Sequence, residues 1–157
     1  MTISDKYASQ YNVHDFLKDR TPEEIKQYCV EKSAPAAMAM VNTNYDYNIG
    51  QVMRVANCFG FTEVYHIQKE GRRIDKRGAC GTQHYTSLTH CFTEDEFLNR
   101  IKDKYIPISV EVNMNFPSIN LFGHVPAKNT CFIFGAENQG LSDKILSNSS
   151  SIVTIPN

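Results

Sequence analysis

The sequence predicts an α/β fold: a mainly parallel sheet flanked by helices. Three observations carry this. Short apolar runs recur at 36–41, 63–67, 105–112, 130–134 and 152–155. Segments of helical period with capping residues lie between them. Turn formers such as Pro35, Gly60 and Gly135 separate the two kinds of segment.

The elements follow in order. The first 20 residues are polar and aromatic without a clear period. Thr21-Pro22-Glu23-Glu24 reads as a helix start, with Thr21 as cap, Pro22 in the first turn and Glu24 completing a capping box. Ile25, Tyr28, Cys29 and the stem of Lys32 form its weak apolar face, and Ser33 and Pro35 end it. The run 36–41 suits a buried strand, followed by a loop rich in Asn, Asp and Tyr. Ile49, Val52, Met53, Ala56 and Phe59 then form one helical stripe, with Asn48 as expected N-cap and Gly60 as stop. A strand at 63–67 leads to a basic, glycine-containing loop at 69–81 and a strand at 85–89. Thr93 and Glu96 open a second boxed helix over 93–104 that turns Phe97, Leu98 and Ile101 inward. Strands at 105–112 and 130–134, a short helix from Ser142 and a strand at 152–155 complete the chain.

At 157 residues the chain fits one catalytic domain, expected over 34–157, behind an N-terminal helical extension over 1–33. Hydrophobic residues make up 41% and charged residues 21%, an ordinary globular balance. The net charge of −1 lacks the strongly basic signature of a tight, nonspecific nucleic-acid binder, although a local basic patch remains open. The five cysteines include no C-x-x-C pair, which argues against a disulfide framework or structural zinc. Cys131, inside an apolar run, reads as a small buried hydrophobe. His84, His90 and Cys91 fit no zinc spacing, so no metal is expected. The polar start and the lack of a spanning apolar stretch make a cytoplasmic protein the default.

Open parallel sheets bind ligands at the carboxyl ends of their strands, and two unusual segments sit there. In the first, Asn44-Tyr45-Asp46-Tyr47-Asn48-Ile49-Gly50-Gln51-Val52-Met53-Arg54, the arginine falls nearly opposite the apolar stripe, flanked by Gln51 and Cys58. It is either a solvated arginine or a cation held near a helix N-terminus to face an anion. Asn48 is either a plain cap or a site residue. In the second, Phe132-Ile133-Phe134-Gly135-Ala136-Glu137-Asn138-Gln139-Gly140-Leu141-Ser142, an apolar strand runs into two glycines around a carboxylate. This is either a tight corner or a loop whose bare backbone meets a flat cofactor. Neither segment is a dinucleotide fingerprint or a phosphate-binding Walker loop.

Together the segments resemble the SPOUT superfamily, specifically the TrmH/SpoU family of RNA 2′-O-ribose methyltransferases. Asn48, Gly50, Arg54 and Phe59-Gly60 match its first motif. The segment from Phe134 to Leu141 matches its second, and Ile155-Pro156 matches the strand end that follows. The resemblance covers residues 34–157. It implies a parallel sheet with a C-terminal trefoil-knot region, S-adenosylmethionine as cofactor, RNA (tRNA or rRNA) as substrate and a homodimer with its active site near the subunit interface. The family continues into a third motif and a closing helix, so the resemblance also implies a chain cut before that motif, with the knot incomplete.

The roles it implies are specific. Glu111, Phe134, Gly135, Gly140 and Ile155 would bind cofactor. Asn48, Arg54 and Glu137 form the catalytic set. Arg54 would stabilise charge on the ribose oxygen, Asn48 would orient Arg54 or the ribose, and Glu137 would brace its loop. The expectation is that Asn48 and Arg54 converge with the glycine turn on one cleft. Lys69, Arg72, Arg73, Lys76 and Arg77 place five positive charges in nine residues and are the candidate RNA contact, or else a solvated loop. Two alternatives remain: a non-catalytic RNA-binding relative, and a nucleotide-binding enzyme of open α/β type.

Overall fold

The computed structural model of the chain describes residues 13–41, 47–68, 74–113 and 115–156. Seven strands form one sheet in the order β3-β2-β1-β6-β4-β7-β5, and every pairing is parallel. The strands are β1 (Ala37–Val41), β2 (Glu63–Ile67), β3 (Ser87–Cys91), β4 (Ile106–Val110), β5 (Ile119–Asn120), β6 (Thr130–Phe134) and β7 (Ser151–Thr154). The helices are α1 (Pro22–Lys32), α2 (Asn48–Cys58), α3 (Glu94–Ile101) and α4 (Asp143–Ser147).

Alternation along the strands builds two cores. Ala37, Ala39 and Val41 of β1 point to one face, where Phe97 and Ile101 of α3 and Ile145 and Leu146 of α4 cover them. Met38 and Met40 point to the other, against Ile49, Met53 and Ala56 of α2. The sheet is thus covered on both sides, as parallel sheets require. Cys131 is fully buried in the first core, and burial pushes its thiol up.

The caps follow the sequence closely, with three differences. Thr21 and Glu24 close a full capping box at 3.3 and 2.8 Å. In α3 the box is shifted: Thr93 accepts from the Glu96 amide at 3.1 Å, but Glu96 reaches past the cap to the Phe92 amide at 2.9 Å. Asn48 is not a cap. It is the first residue of α2, capped by Tyr47 without a side-chain bond, which frees the Asn48 amide for other use. Phe59 does not join the inward stripe and is 70% exposed. The helix ends at Cys58, so Phe59 has left the period that would have buried it. Gly60 does end this segment, in the left-handed conformation (φ +74°).

The 13–33 segment carries a turn at Asp15–Leu17 and then α1. Leu17 and Ile25 pack with Tyr85 in a small third cluster. At the amino end of the sheet, the Glu63 carboxylate accepts bonds from Tyr105 (3.0 Å) and Tyr65 (3.1 Å) and pairs with Lys104. Burial alone would raise this carboxyl, but the bonds from Lys104, Tyr105 and Tyr65 outweigh it and hold it below the usual carboxylate range. Burial, then the Glu63 charge, pushes both tyrosines up. Glu63→Ala would leave two buried hydroxyls without their acceptor and is expected to cost about 2 kcal/mol, a Tm loss of about 4–8 °C by calorimetry. The contribution is present above the unfolded carboxyl value of about 4.3 and fades as pH falls through the lowered folded value. The deficit of the variant should therefore shrink in acid.

Candidate active site

The strand order reverses between β1 and β6. Chain order runs from β1 through β2 to β3 on one side, while β4, β7 and β5 lie beyond β6 on the other. A crevice at the carboxyl ends is the usual ligand position at such a switch point. The register Met40↔Phe134 sets the end of β6 beside the end of β1. The Val110↔Phe134 and Val110↔Val153 pairs gather the ends of β4, β6 and β7.

The loops leaving those three strands enclose a cavity of about 720 Å³ lined by Glu111, Phe134, Gly135, Gly140 and Ile155, with the rest of turn 135–141. These are the five residues the sequence singles out for a cofactor. The turn is a tight loop. The Gly140 amide donates to the Ala136 carbonyl at 2.9 Å, and the two residues form an antiparallel bridge. A Cβ on Gly135 would stand 2.7 Å from both the Gly140 oxygen and the Leu141 nitrogen, so only glycine fits there. Gly140 is left-handed (φ +62°) and sits against the Glu111 carboxylate. That carboxylate is engaged by the protein itself: it accepts from the Leu141 amide at 2.8 Å and the Val112 amide at 2.9 Å. Glu111 is thus the brace of the turn as well as part of the cavity wall.

Glu137 is the link to α2. Its carboxylate accepts a bond from the Asn48 side-chain amide, across 89 positions of sequence. Asn48, Glu137 and Gly135 line a second cavity of about 460 Å³ with Gln51, Val52, Val55 and Phe134. The sequence assigns Glu137 to bracing its own loop; in the structure it ties that loop to the first residue of α2.

Arg54 takes a neighbouring position. It lies six residues on, about 9 Å along α2 and about 120° around it from Asn48. It lines a third cavity of about 410 Å³ with Tyr47, Gln51, Val55, Cys58, Phe59, Gly78 and Cys80. Gln51 and Val55 belong to both cavities, so Arg54 and the Asn48–Glu137 pair stand on two sides of one wall. The expected single cleft is divided: Arg54 lines a different cavity from Gly135, Gly140 and Ile155, the two being linked through the cavity at Asn48 and Glu137, and the Arg54 side chain donates to Cys80 Sγ at 3.6 Å. Gln51 and Cys80 are the residues that sequence reasoning did not place in the site. Gln51 was visible as a neighbour of Arg54 on the helix, whereas Cys80 comes from a distant loop with no periodic signal.

The loop bearing Cys80 is packed backbone to backbone on α2. A Cβ on Gly50 would come within 2.9 Å of the Gly78 and Ala79 nitrogens, and one on Gly78 within 3.1 Å of the Gln51 nitrogen and the Tyr47 oxygen. Of the basic cluster, Lys69, Arg72 and Arg73 lie outside the described residues. Lys76 is exposed, and Arg77 is tied to Asp75 by an ion pair of 2.6 Å, which offsets its charge. Among the described residues no group of three or more His, Cys, Asp or Glu could hold a metal ion, and no helix is long and apolar enough to cross a membrane.

No curated protein matches the chain in sequence. A tRNA modifying enzyme of the TrmH/SpoU type from A. aeolicus superposes with a TM-score of 0.73 at 16% identity, over 87% of this chain and 70% of that one. A structure solved for insight into 2-OH methylation of C/U34 on tRNA gives 0.66 at 17% identity, over 78% of this chain and 80% of that one. The SpoU methyltransferase AviRb from Streptomyces viridochromogenes, in complex with the cofactor AdoMet, gives 0.68 at 15% identity, over 77% of this chain and 50% of that one. These likenesses concern the fold. The model of the SpoU rRNA Methylase family matches residues 35–157, which takes in every strand and both glycine-bearing segments, and the chain belongs to that family.

Proposed function

We propose that this protein methylates a ribose 2′-hydroxyl in tRNA or rRNA, with S-adenosylmethionine as cofactor, as a cytoplasmic homodimer. The observation that carries the reading is the placement of the glycine turn at the strand switch point, tied through Glu137 to the helix that bears Arg54. Solved relatives support it: AviRb holds AdoMet, and another structure concerns 2-OH methylation of tRNA.

The residues present fit the cofactor. The cavity of about 720 Å³ lies within the range for cofactor sites, with bare backbone at Gly135 and Gly140 and apolar walls from Phe134, Leu141 and Ile155. Phe134, Gly135, Gly140 and Ile155 would hold it, with Glu111 fixing the turn that carries the two glycines. When bound, S-adenosylmethionine supplies a methyl group made electrophilic by its sulfonium.

The protein's own residues must then manage the nucleophile. A ribose hydroxyl becomes reactive as its proton leaves and charge grows on oxygen. A guanidinium offers a fork of N–H donors and no acceptor, so the part of Arg54 is to stabilise that oxygen and clamp a nearby phosphate. Asn48, held by Glu137, orients the ribose at the wall between the cavities. Lys69, Arg72, Arg73, Lys76 and Arg77 are proposed to grip RNA phosphates, with Arg77 the weakest because Asp75 already holds it.

Titration calorimetry with S-adenosylmethionine, followed by mass spectrometry of RNA methylated by the protein, tests the reading. The expected result is saturable binding and a 2′-O-methyl nucleoside. Binding of RNA without methyl transfer would point instead to a non-catalytic relative. Binding of NAD or ATP in place of S-adenosylmethionine would point to a different nucleotide-binding enzyme.

A further inference from the structure

We propose that Cys80 is a positioning residue for Arg54, and that its thiol is kept in a strained backbone position for this purpose. The inference rests on the reading of Arg54 as the charge-stabilising group.

Two independent observations meet at Cys80. The first is contact: Arg54 Nη1 donates to Cys80 Sγ at 3.6 Å, and both residues line the same cavity. The second is conformation. Cys80 has φ 49° and ψ 41°, and among the described residues it is the only non-glycine with positive φ. Residues with a Cβ rarely adopt this region outside Asn and Asp, and the strain clusters at functional sites. Glycine would satisfy the same backbone more cheaply. The left-handed turn presents the sulfur to α2, and the turn is held in place. Cys80 donates its amide to the Arg77 carbonyl at 3.2 Å, and Thr82 Oγ1 donates to the Ala79 carbonyl at 2.8 Å. The close Gly50–Gly78 packing then fixes the turn against the helix that carries Arg54.

A sulfur suits this task. It accepts weakly, so it sets the direction of the guanidinium without neutralising it. A carboxylate there would satisfy the cation and compete with an anionic substrate. One Arg54 nitrogen is held while the others remain for the ribose oxygen and phosphate.

The test compares Cys80→Gly, Cys80→Ser and Arg54→Ala with the parent enzyme. In Cys80→Gly the left-handed strain is relieved, so Tm should be equal or higher. Its kcat should nevertheless fall about tenfold, with KM for S-adenosylmethionine unchanged, because misaligned catalytic groups cost rate and not cofactor affinity. Cys80→Ser, which keeps an acceptor, should recover most of the lost kcat. The ¹⁵N side-chain signals of Arg54 should be sharp in the parent and broadened in Cys80→Gly. Three results would each overturn the inference: Cys80→Gly at parental kcat, a Tm loss that tracks the loss of activity, or Cys80→Ser no better than Cys80→Gly. If Arg54→Ala itself turns over normally, the role of Arg54 is wrong and this inference goes with it. If Arg54→Ala is inactive while Cys80→Gly is fully active, only the positioning role of Cys80 is lost.

Discussion

Arg54→Ala should lower the turnover of methyl transfer by about 10²–10³-fold, the usual loss when a group that stabilises developing oxyanion charge is removed. The affinity for S-adenosylmethionine should stay within about twofold. The two effects separate because Arg54 does not line the cavity proposed for the cofactor; it stands across the Gln51 and Val55 wall from the Asn48–Glu137 pair. Stability should change by less than about 0.5 kcal/mol, as Arg54 is exposed and, among the described residues, its side-chain hydrogen bond is to a sulfur. Arg54→Lys keeps the charge but loses the planar fork, so it should recover only part of the rate. Single-turnover kinetics with saturating cofactor read the chemical step directly. Unchanged turnover in Arg54→Ala would remove this residue from the reaction.

The largest effect on cofactor binding is expected at Gly135. In Gly135→Ala the added methyl meets the Gly140 oxygen and the Leu141 nitrogen at 2.7 Å, and both are backbone atoms that cannot rotate away. The turn must open, and three contacts go with it: the Ala136–Gly140 bridge, the Leu141 amide on Glu111 and the Asn48 amide on Glu137. Calorimetry should show at least a hundredfold weaker binding of S-adenosylmethionine, with stability lower by about 2–4 kcal/mol. Gly140→Ala is the informative comparison. Its left-handed φ of +62° costs about 1 kcal/mol with a side chain, and the nearest obstacle is the Glu111 carboxylate, a side-chain end that can turn aside only by releasing the Val112 and Leu141 amides. It should bind cofactor better than Gly135→Ala. The reverse order would mean that the bridge between Ala136 and Gly140 does not shape the cavity.

Elements bounded by an abrupt change of composition were legible in the sequence. β2 and β6 end where read, because Gly60-Phe61-Thr62 precedes one and Gly135 stops the other. The Thr21 box was legible because its chemistry is local, within three residues. The two-residue β5 was not, since Ile119 and Asn120 are too few to show a period and are held only by β7. β3 begins at Ser87, two residues later than the read start, because Tyr85 is drawn into the cluster with Leu17 and Ile25. The site divides along the same line. The lining of the large cavity was legible through the motif resemblance, whose residues follow the ends of β4, β6 and β7. The Asn48–Glu137 bond and the Arg54–Cys80 contact were not, for they join residues 89 and 26 positions apart and depend on the strand order.

The side-chainless faces of Gly50 and Gly78 let α2 and the 74–80 loop pack backbone against backbone. A lever follows from this. Any displacement of turn 135–141 that pulls on Glu137 acts at the first residue of the helix, and a stiff rod conveys it to the guanidinium about 9 Å further along. The turn proposed to hold the methyl donor and the helix proposed to face the acceptor are therefore geared together through Asn48 and Glu137.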